Sequence, residues 1–267
     1  MARTILLIAL FSFGLAFHAV AQSADSDIEP ANYVGSASCA GCHEAETEAW
    51  QGSHHALAWT LPSDDTVVGD FDDTRFEHDG ALHEFSIRDG NRLVTITAAD
   101  GTKTEYPVHS VVGIEPLQQY LLEIEDGRLQ SYDVTWDVLE NRWYHLYPDQ
   151  KLPPDDGLHW SGPYKNWNGR CAECHATGFS KNFDAQTQKY ASTQAEIGVG
   201  CEACHGPGSR HVAWAEENIS APVSPPPGYG FSMDFATAGT EAMIQQCAGC
   251  HSRREPFADG NPLPGTP

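Results

Sequence analysis

All eight cysteines of the chain fall into four copies of one five-residue frame. The copies are Cys39-Ala-Gly-Cys42-His43, Cys171-Ala-Glu-Cys174-His175, Cys201-Glu-Ala-Cys204-His205 and Cys247-Ala-Gly-Cys250-His251. Two thiols three positions apart can add across the two vinyl groups on one edge of a porphyrin. The residue that follows then carries an imidazole under the ring. The frame is the attachment motif of c-type haem, so four covalently bound c-type haems, each with its iron, are expected. Other readings of paired cysteines leave the histidine unexplained. Zinc on Cys-x-x-Cys pairs has no need of it, disulfide staples have none, and a thioredoxin-type redox motif calls for one site rather than four. Histidine is 13 of 267 residues, so its recurrence at the fifth position four times has chance odds on the order of one in 10⁵.

Charge narrows the partners. Fifteen Lys and Arg stand against 37 Asp and Glu, a formal charge of −22. A field of that sign repels phosphate backbones and anionic lipid, so neither nucleic acid nor a membrane surface is an expected partner. Redox protein partners with basic docking surfaces are. Residues 1–21 read as an export signal: Arg3 in the basic segment, an apolar run from Ile5 to Phe17, and Ala19-Val20-Ala21 before the cleavage point. That run falls short of the roughly 20 residues a bilayer needs. A periplasmic or extracellular protein with no membrane span after signal cleavage is expected.

The motifs are unevenly placed, which suggests one haem domain interrupted by an insert. The expected divisions are a signal at 1–21, a first haem segment at 22–65, a β-rich insert at 66–148, a three-haem segment at 149–258 and a Gly/Pro-rich flexible tail at 259–267. Within the insert, Phe85, Ile87, Leu93, Val94 and Ile96 are set among polar residues. Asp-Gly pairs recur at 79–80, 89–90, 100–101 and 126–127, the signature of hairpins with tight turns. Helices are expected at Glu44–Trp59, Val212–Asn218 and Thr240–Gln246. The fold class is therefore α+β: mostly short helices and loops wrapped around four c-type haems, with a small antiparallel β insert between haem 1 and haem 2.

His43, His175, His205 and His251 supply one axial ligand per iron by motif. The second axial position sets the chemistry, because a second histidine gives a low-potential electron-transfer centre, methionine raises the potential, and an open position permits ligand binding. His54 and His55 sit between Trp50 and Trp59. His145 lies in Arg142-Trp143-Tyr144-His145-Leu146-Tyr147, His159 in Leu158-His159-Trp160, and His211 six residues after the third motif. These five are the distal candidates. His78 and His83, beside acidic residues and Asp-Gly turns, read as solvated strand-end histidines, and His109 as a strand or core residue.

Longer strings carry a resemblance. Tyr33-Val34-Gly35-Ser36, Trp50-Gln51-Gly52-Ser53-His54-His55, Pro116-Leu117-Gln118-Gln119-Tyr120, Arg142-Trp143-Tyr144-His145, Leu158-His159-Trp160, Asn166-Trp167-Asn168 and the run Cys201 to Ser209 span most of the chain. They resemble the exported multihaem c-type cytochromes related to the tetrahaem cytochrome of ammonia-oxidising bacteria. More closely, they look like the amino-terminal haem region of bacterial multihaem cytochromes that carry tetratricopeptide repeats. Members of that group continue with further haem motifs and helical repeats, whereas this chain stops at Pro267. The resemblance implies periplasmic electron transfer through mostly bis-His haems. It also supports His54 or His55, His145, His159 and His211 as ligands.

The expected function is a relay of single electrons between redox partners, without catalysis. One alternative is a redox enzyme with one five-coordinate haem acting on a small nitrogen or sulfur compound. The other is a subunit of an extracellular cytochrome filament, with self-assembly through a histidine donated across an interface.

Overall fold

The computed structural model describes residues 30–125, 127–254 and 259–266. The expected export signal lies outside the described residues. From Ala31 onward the chain forms one compact unit, and the Asp-Gly pairs explain how its largest element starts. Strands β1 (Thr74–His78), β2 (Ala81–Arg88) and β3 (Asn91–Thr97) are joined by two-residue loops, with His78 opposite Ala81 and Arg88 opposite Asn91. Both residues of each loop have positive φ: Asp79 46° and Gly80 80°, then Asp89 51° and Gly90 78°. That is the type I′ turn, whose twist matches that of the strands it joins.

The meander continues through β4 (Lys103–Val112), β5 (Leu117–Glu125), β6 (Arg128–Ser131), β7 (Val134–Asp137) and β8 (Arg142–His145). The order is β1-β2-β3-β4-β5-β7-β8, with β6 pairing another stretch of β5. The sheet is thus eight-stranded and larger than the small insert expected. The first and last strands come together. His78 on β1 stacks on His145 of β8 at 4.0 Å between ring centroids and 14° between planes, so the sheet curls almost into a barrel.

Alternation along β5 divides two cores. Tyr120 and Leu122 face inward with Phe71, Phe85, Val94, Val111, Tyr132, Trp136 and Trp143. Trp143 lies flat on Phe85 at 3.6 Å and 5°, with Phe71 and Trp136 set edge-on around it. Leu121 faces the other way, with Val112 and Leu129, against Trp59, Trp167, Ala172, Ala176 and Phe179. The second core fixes the haem-motif segments to the outside of the sheet. The Trp59 indole N–H reaches the Ser110 hydroxyl at 2.7 Å, and Thr60 bridges to Val111.

Around the sheet lie short strand pairs, Ala176–Thr177 with Glu196–Ile197 and Phe183–Asp184 with Lys189–Tyr190, and short helices: α1 (Ser36–Ala40), α2 (Glu44–Gln51), α3 (Trp167–Arg170), α4 (Ala172–His175), α5 (Cys201–His205), α6 (Ser209–Ser220) and α7 (Gly239–Ala248). The first expected helix stops at Gln51 instead of Trp59. The chain turns there, and Trp50 donates from its indole to the Val199 carbonyl at 2.8 Å.

His83 departs most from its expected setting. It is 6% exposed, inside the barrel, with its Nδ1 hydrogen-bonded to the Tyr132 hydroxyl. Burial, then the neighbouring His145 and His78, pushes its pKa down to about 4.

Candidate haem-binding site

The first and fourth motifs sit at the ends of α1 and α7, while the second and third form α4 and α5 and carry a glutamate between their cysteines. Glu202, inside the third motif, is 2% exposed. Its carboxylate accepts from the Val34 amide at 2.9 and 3.0 Å, from Gly35 at 2.7 Å and from Gly208 at 2.7 Å. It thereby ties the segment before the first motif to the third. Glu196 adds to this link by accepting from the Ser36 hydroxyl at 2.7 Å, while that hydroxyl accepts from the Cys201 amide. Glu173, inside the second motif, pairs at 2.8 Å with Arg254, just past the fourth. The Asn261 side chain also donates to the Glu173 carbonyl. None of these carboxylates is among the candidates that the sequence offers. The only sequence signal is an acidic residue inside a motif whose other two copies carry Ala-Gly.

The thiols show the result of these ties. Cys39 of the first motif hydrogen-bonds to Cys201 of the third, and burial, with Cys201 second, pushes its pKa up to about 11. Cys204 of the third lies beside Cys247 and Cys250 of the fourth. Cys250 in turn hydrogen-bonds to Cys174 of the second. No cysteine of the described residues is in a disulfide. Neighbouring motifs therefore follow the order first, third, fourth, second.

Histidines from outside the motifs meet two of the motif histidines. His211 on α6 faces His43 with ring centroids 6.1 Å apart. His55, after α2, faces His251 at 6.0 Å. Two imidazoles on opposite sides of one metal, each nitrogen about 2 Å from it, place their ring centres roughly 6 Å apart. His54 is exposed beside His55. His205 lies near His43 and His211 and packs against Phe231 and Phe235 at 5.7 and 5.1 Å. Burial, then those two histidines, lowers its pKa and favours the neutral form that a metal ligand must take.

Hydrogen bonds at Nδ1 separate the remaining candidates. His175 reaches the Ala58 carbonyl at 3.0 Å and His211 the Tyr229 carbonyl at 3.0 Å. A carbonyl only accepts, so each ring carries its proton on Nδ1 and leaves the Nε2 lone pair free, the arrangement found behind metal-bound histidines. His145 is the reverse: its Nδ1 accepts from the Tyr147 amide at 3.0 Å. His159 accepts at Nδ1 from the Ser161 amide at 3.3 Å and lies 2.7 Å from the Ser161 hydroxyl. In both, the neutral ring keeps its proton on Nε2. His145 stacks on His78, packs edge-on against Tyr147 and lies within electrostatic reach of His83 and His159, all of them outside the haem motifs.

The donor set therefore fits c-type haem: paired free thiols at vinyl spacing, imidazoles with free Nε2, and two histidine pairs at the span of one iron. A family model described as cytochrome c554 and c-prime matches residues 38–73 and 159–206, which include the first three motifs. The crystal structure titled outer cell wall cytochrome OcwA shares the fold, with a TM-score of 0.53 and 18% identity over 88% of this chain and 43% of that one. The undecaheme cytochrome from the S-layer of Carboxydothermus ferrireducens aligns at 19% identity and TM-score 0.45 over 84% of this chain and 26% of its own. This chain thus spans less than half the length of either. No curated protein matches it. Among the described residues no helix is long and apolar enough to cross a membrane. The four motifs, three of which fall inside the stretches that the family model matches, carry the c-type haem reading of this site.

Proposed function

We propose that the chain is an exported carrier of single electrons, with one c-type haem on each of its four motifs and no substrate chemistry of its own. The haems supply reversible one-electron iron chemistry when bound. The observation that carries this reading is the unbroken adjacency of the motifs, first to third to fourth to second, made by the Cys39–Cys201, Cys204–Cys247 and Cys174–Cys250 neighbours.

In this reading Glu202 and Glu173 keep successive motifs in register. His43 and His211 hold the first iron, and His251 and His55 the fourth. His175 and His205 hold the other two from their motif side. His145 and His159, inside the sequence-based ligand set, serve the barrel instead. The acidic surface steers the chain toward basic faces of its redox partners. The match to the cytochrome c554 and c-prime model supports the haem reading of the stretches it covers, and the outer-cell-wall setting of OcwA favours an exported carrier.

Low-temperature EPR of holoprotein variants tests the ligand set. His211→Ala and His55→Ala should each convert one haem's share of low-spin ferric signal to high spin, while His145→Ala and His159→Ala leave the spin state unchanged. The reverse pattern would return the distal roles to the barrel histidines.

A further inference from the structure

Within a chain of charge −22, one cavity gathers basic groups. It measures about 260 Å³, and among its lining residues are Arg128, Arg170, Lys181, Asn166, Phe183 and Tyr190. Elsewhere basic side chains stand on carboxylates: Arg92 on Asp64 and Arg88 on Glu105, both at 2.7 Å, and Lys165 on Asp133 at 2.8 Å. Arg128 and Lys181 have no such partner among the described residues. The nearby Asp259 carboxylate accepts instead from the Lys181 and Asn182 amides, at 2.7 and 2.9 Å. Burial raises the pKa of the Tyr190 hydroxyl, while Arg128 and Arg170 both pull it down. Both guanidiniums therefore lie within electrostatic reach of that oxygen, which stays a neutral donor. Arg170 is also held over the Tyr164 ring at 5.0 Å.

We infer that this cavity binds a carboxylate or small oxyanion, with Arg128 and Lys181 as its principal cations and the Tyr190 hydroxyl as a neutral donor. Several cations around one half-open cavity favour an anion with several acceptor oxygens, because charge-assisted hydrogen bonds to guanidinium are the stronger kind. Phe183 and Tyr190 close one side with apolar surface, which suits a small carboxylate as well as an inorganic ion. The anion can come from two sources. One is a free molecule. The other, which rests on the haem reading above, is a propionate of the haem on Cys171 and Cys174, since Arg170 directly precedes that motif.

The test is calorimetric titration of the holoprotein with sulfate and, separately, succinate, beside the variants Arg128→Gln and Lys181→Gln. Both substituted side chains line the cavity without an ion-pair partner among the described residues, and an unchanged absorption spectrum and melting temperature will show that each variant folds. Saturable binding that either variant weakens about tenfold or more establishes a free anion as occupant. No binding by the wild type, together with a shifted midpoint potential of one haem in Arg128→Gln, establishes the propionate. No binding and unchanged potentials would overturn the inference. The titration does not depend on haem number, so its failure is distinct from failure of the carrier reading.

Discussion

Replacing Glu202 by alanine is expected to be the most damaging single change outside the haem ligands. The substitution leaves the amides of Val34, Gly35 and Gly208 without their acceptor in a place that is 2% exposed. Each buried donor left unsatisfied costs about 1–3 kcal/mol, so a loss on the order of 5 kcal/mol is expected. The loss is also directional. It frees the segment before the first motif from the third, so limited proteolysis should cut within residues 31–38 before the barrel unfolds. Glu202→Gln keeps one acceptor oxygen and should recover part of the stability. A denaturation midpoint for Glu202→Ala within about 0.5 kcal/mol of wild type would show that the carboxylate does not hold the two motifs together.

Lys165→Met is expected to cost nearly as much, by a different route. Asp133 has 2% of its side chain exposed and faces the Lys165 ammonium at 2.8 Å, with 13% of the lysine exposed. Burial raises the Asp133 pKa and the Lys165 contact pulls it back. Removing the ammonium leaves a buried carboxylate without a counter-charge, a loss of about 3–5 kcal/mol. The contact of the Lys165 ammonium over the Tyr147 ring at 4.0 Å goes with it. A carboxyl group whose folded pKa lies above its unfolded value binds more protons in the folded state. Stability therefore falls as pH rises between the two values and is regained on acidification. The gap between Lys165→Met and wild type, measured by denaturant titration, should accordingly narrow as pH drops toward the unfolded value. Asp133→Asn in the same chain should restore much of the loss at neutral pH. A gap that widens on acidification would contradict this account of the pair.

What the sequence made legible follows from how local the underlying physics is. The haem motifs are fixed by covalent chemistry across four residues, and Asp79-Gly80 and Asp89-Gly90 by the two positive φ values their turn demands. Those features could be read directly. Closure of the sheet could not, because the His78–His145 stack joins residues far apart in the chain and neither alternation nor turn type encodes it. The same long-range closure sets the surroundings of His145, whose neighbour Trp143 lies against Phe85 in the barrel core, a contact that the aromatic run around it does not encode. His83 read as solvated from its acidic neighbours, but β2 turns it inward to Tyr132. Glu202 and Glu173 escaped notice because a glutamate inside a haem motif carries no local signature of burial; its partners lie at Val34 and Gly35 in one case and at Arg254 in the other. His211 and His55 sit between these extremes. Sequence named them as candidates, and only the fold sets them opposite His43 and His251.

The most direct test of the carrier account is low-temperature EPR of the fully oxidised holoprotein, integrated against a haem count from intact mass. The account predicts four haems per chain, one for each motif, with low-spin ferric iron at least at the first and fourth, half of the haem. Fewer haems than motifs, or a predominantly high-spin signal, would contradict it.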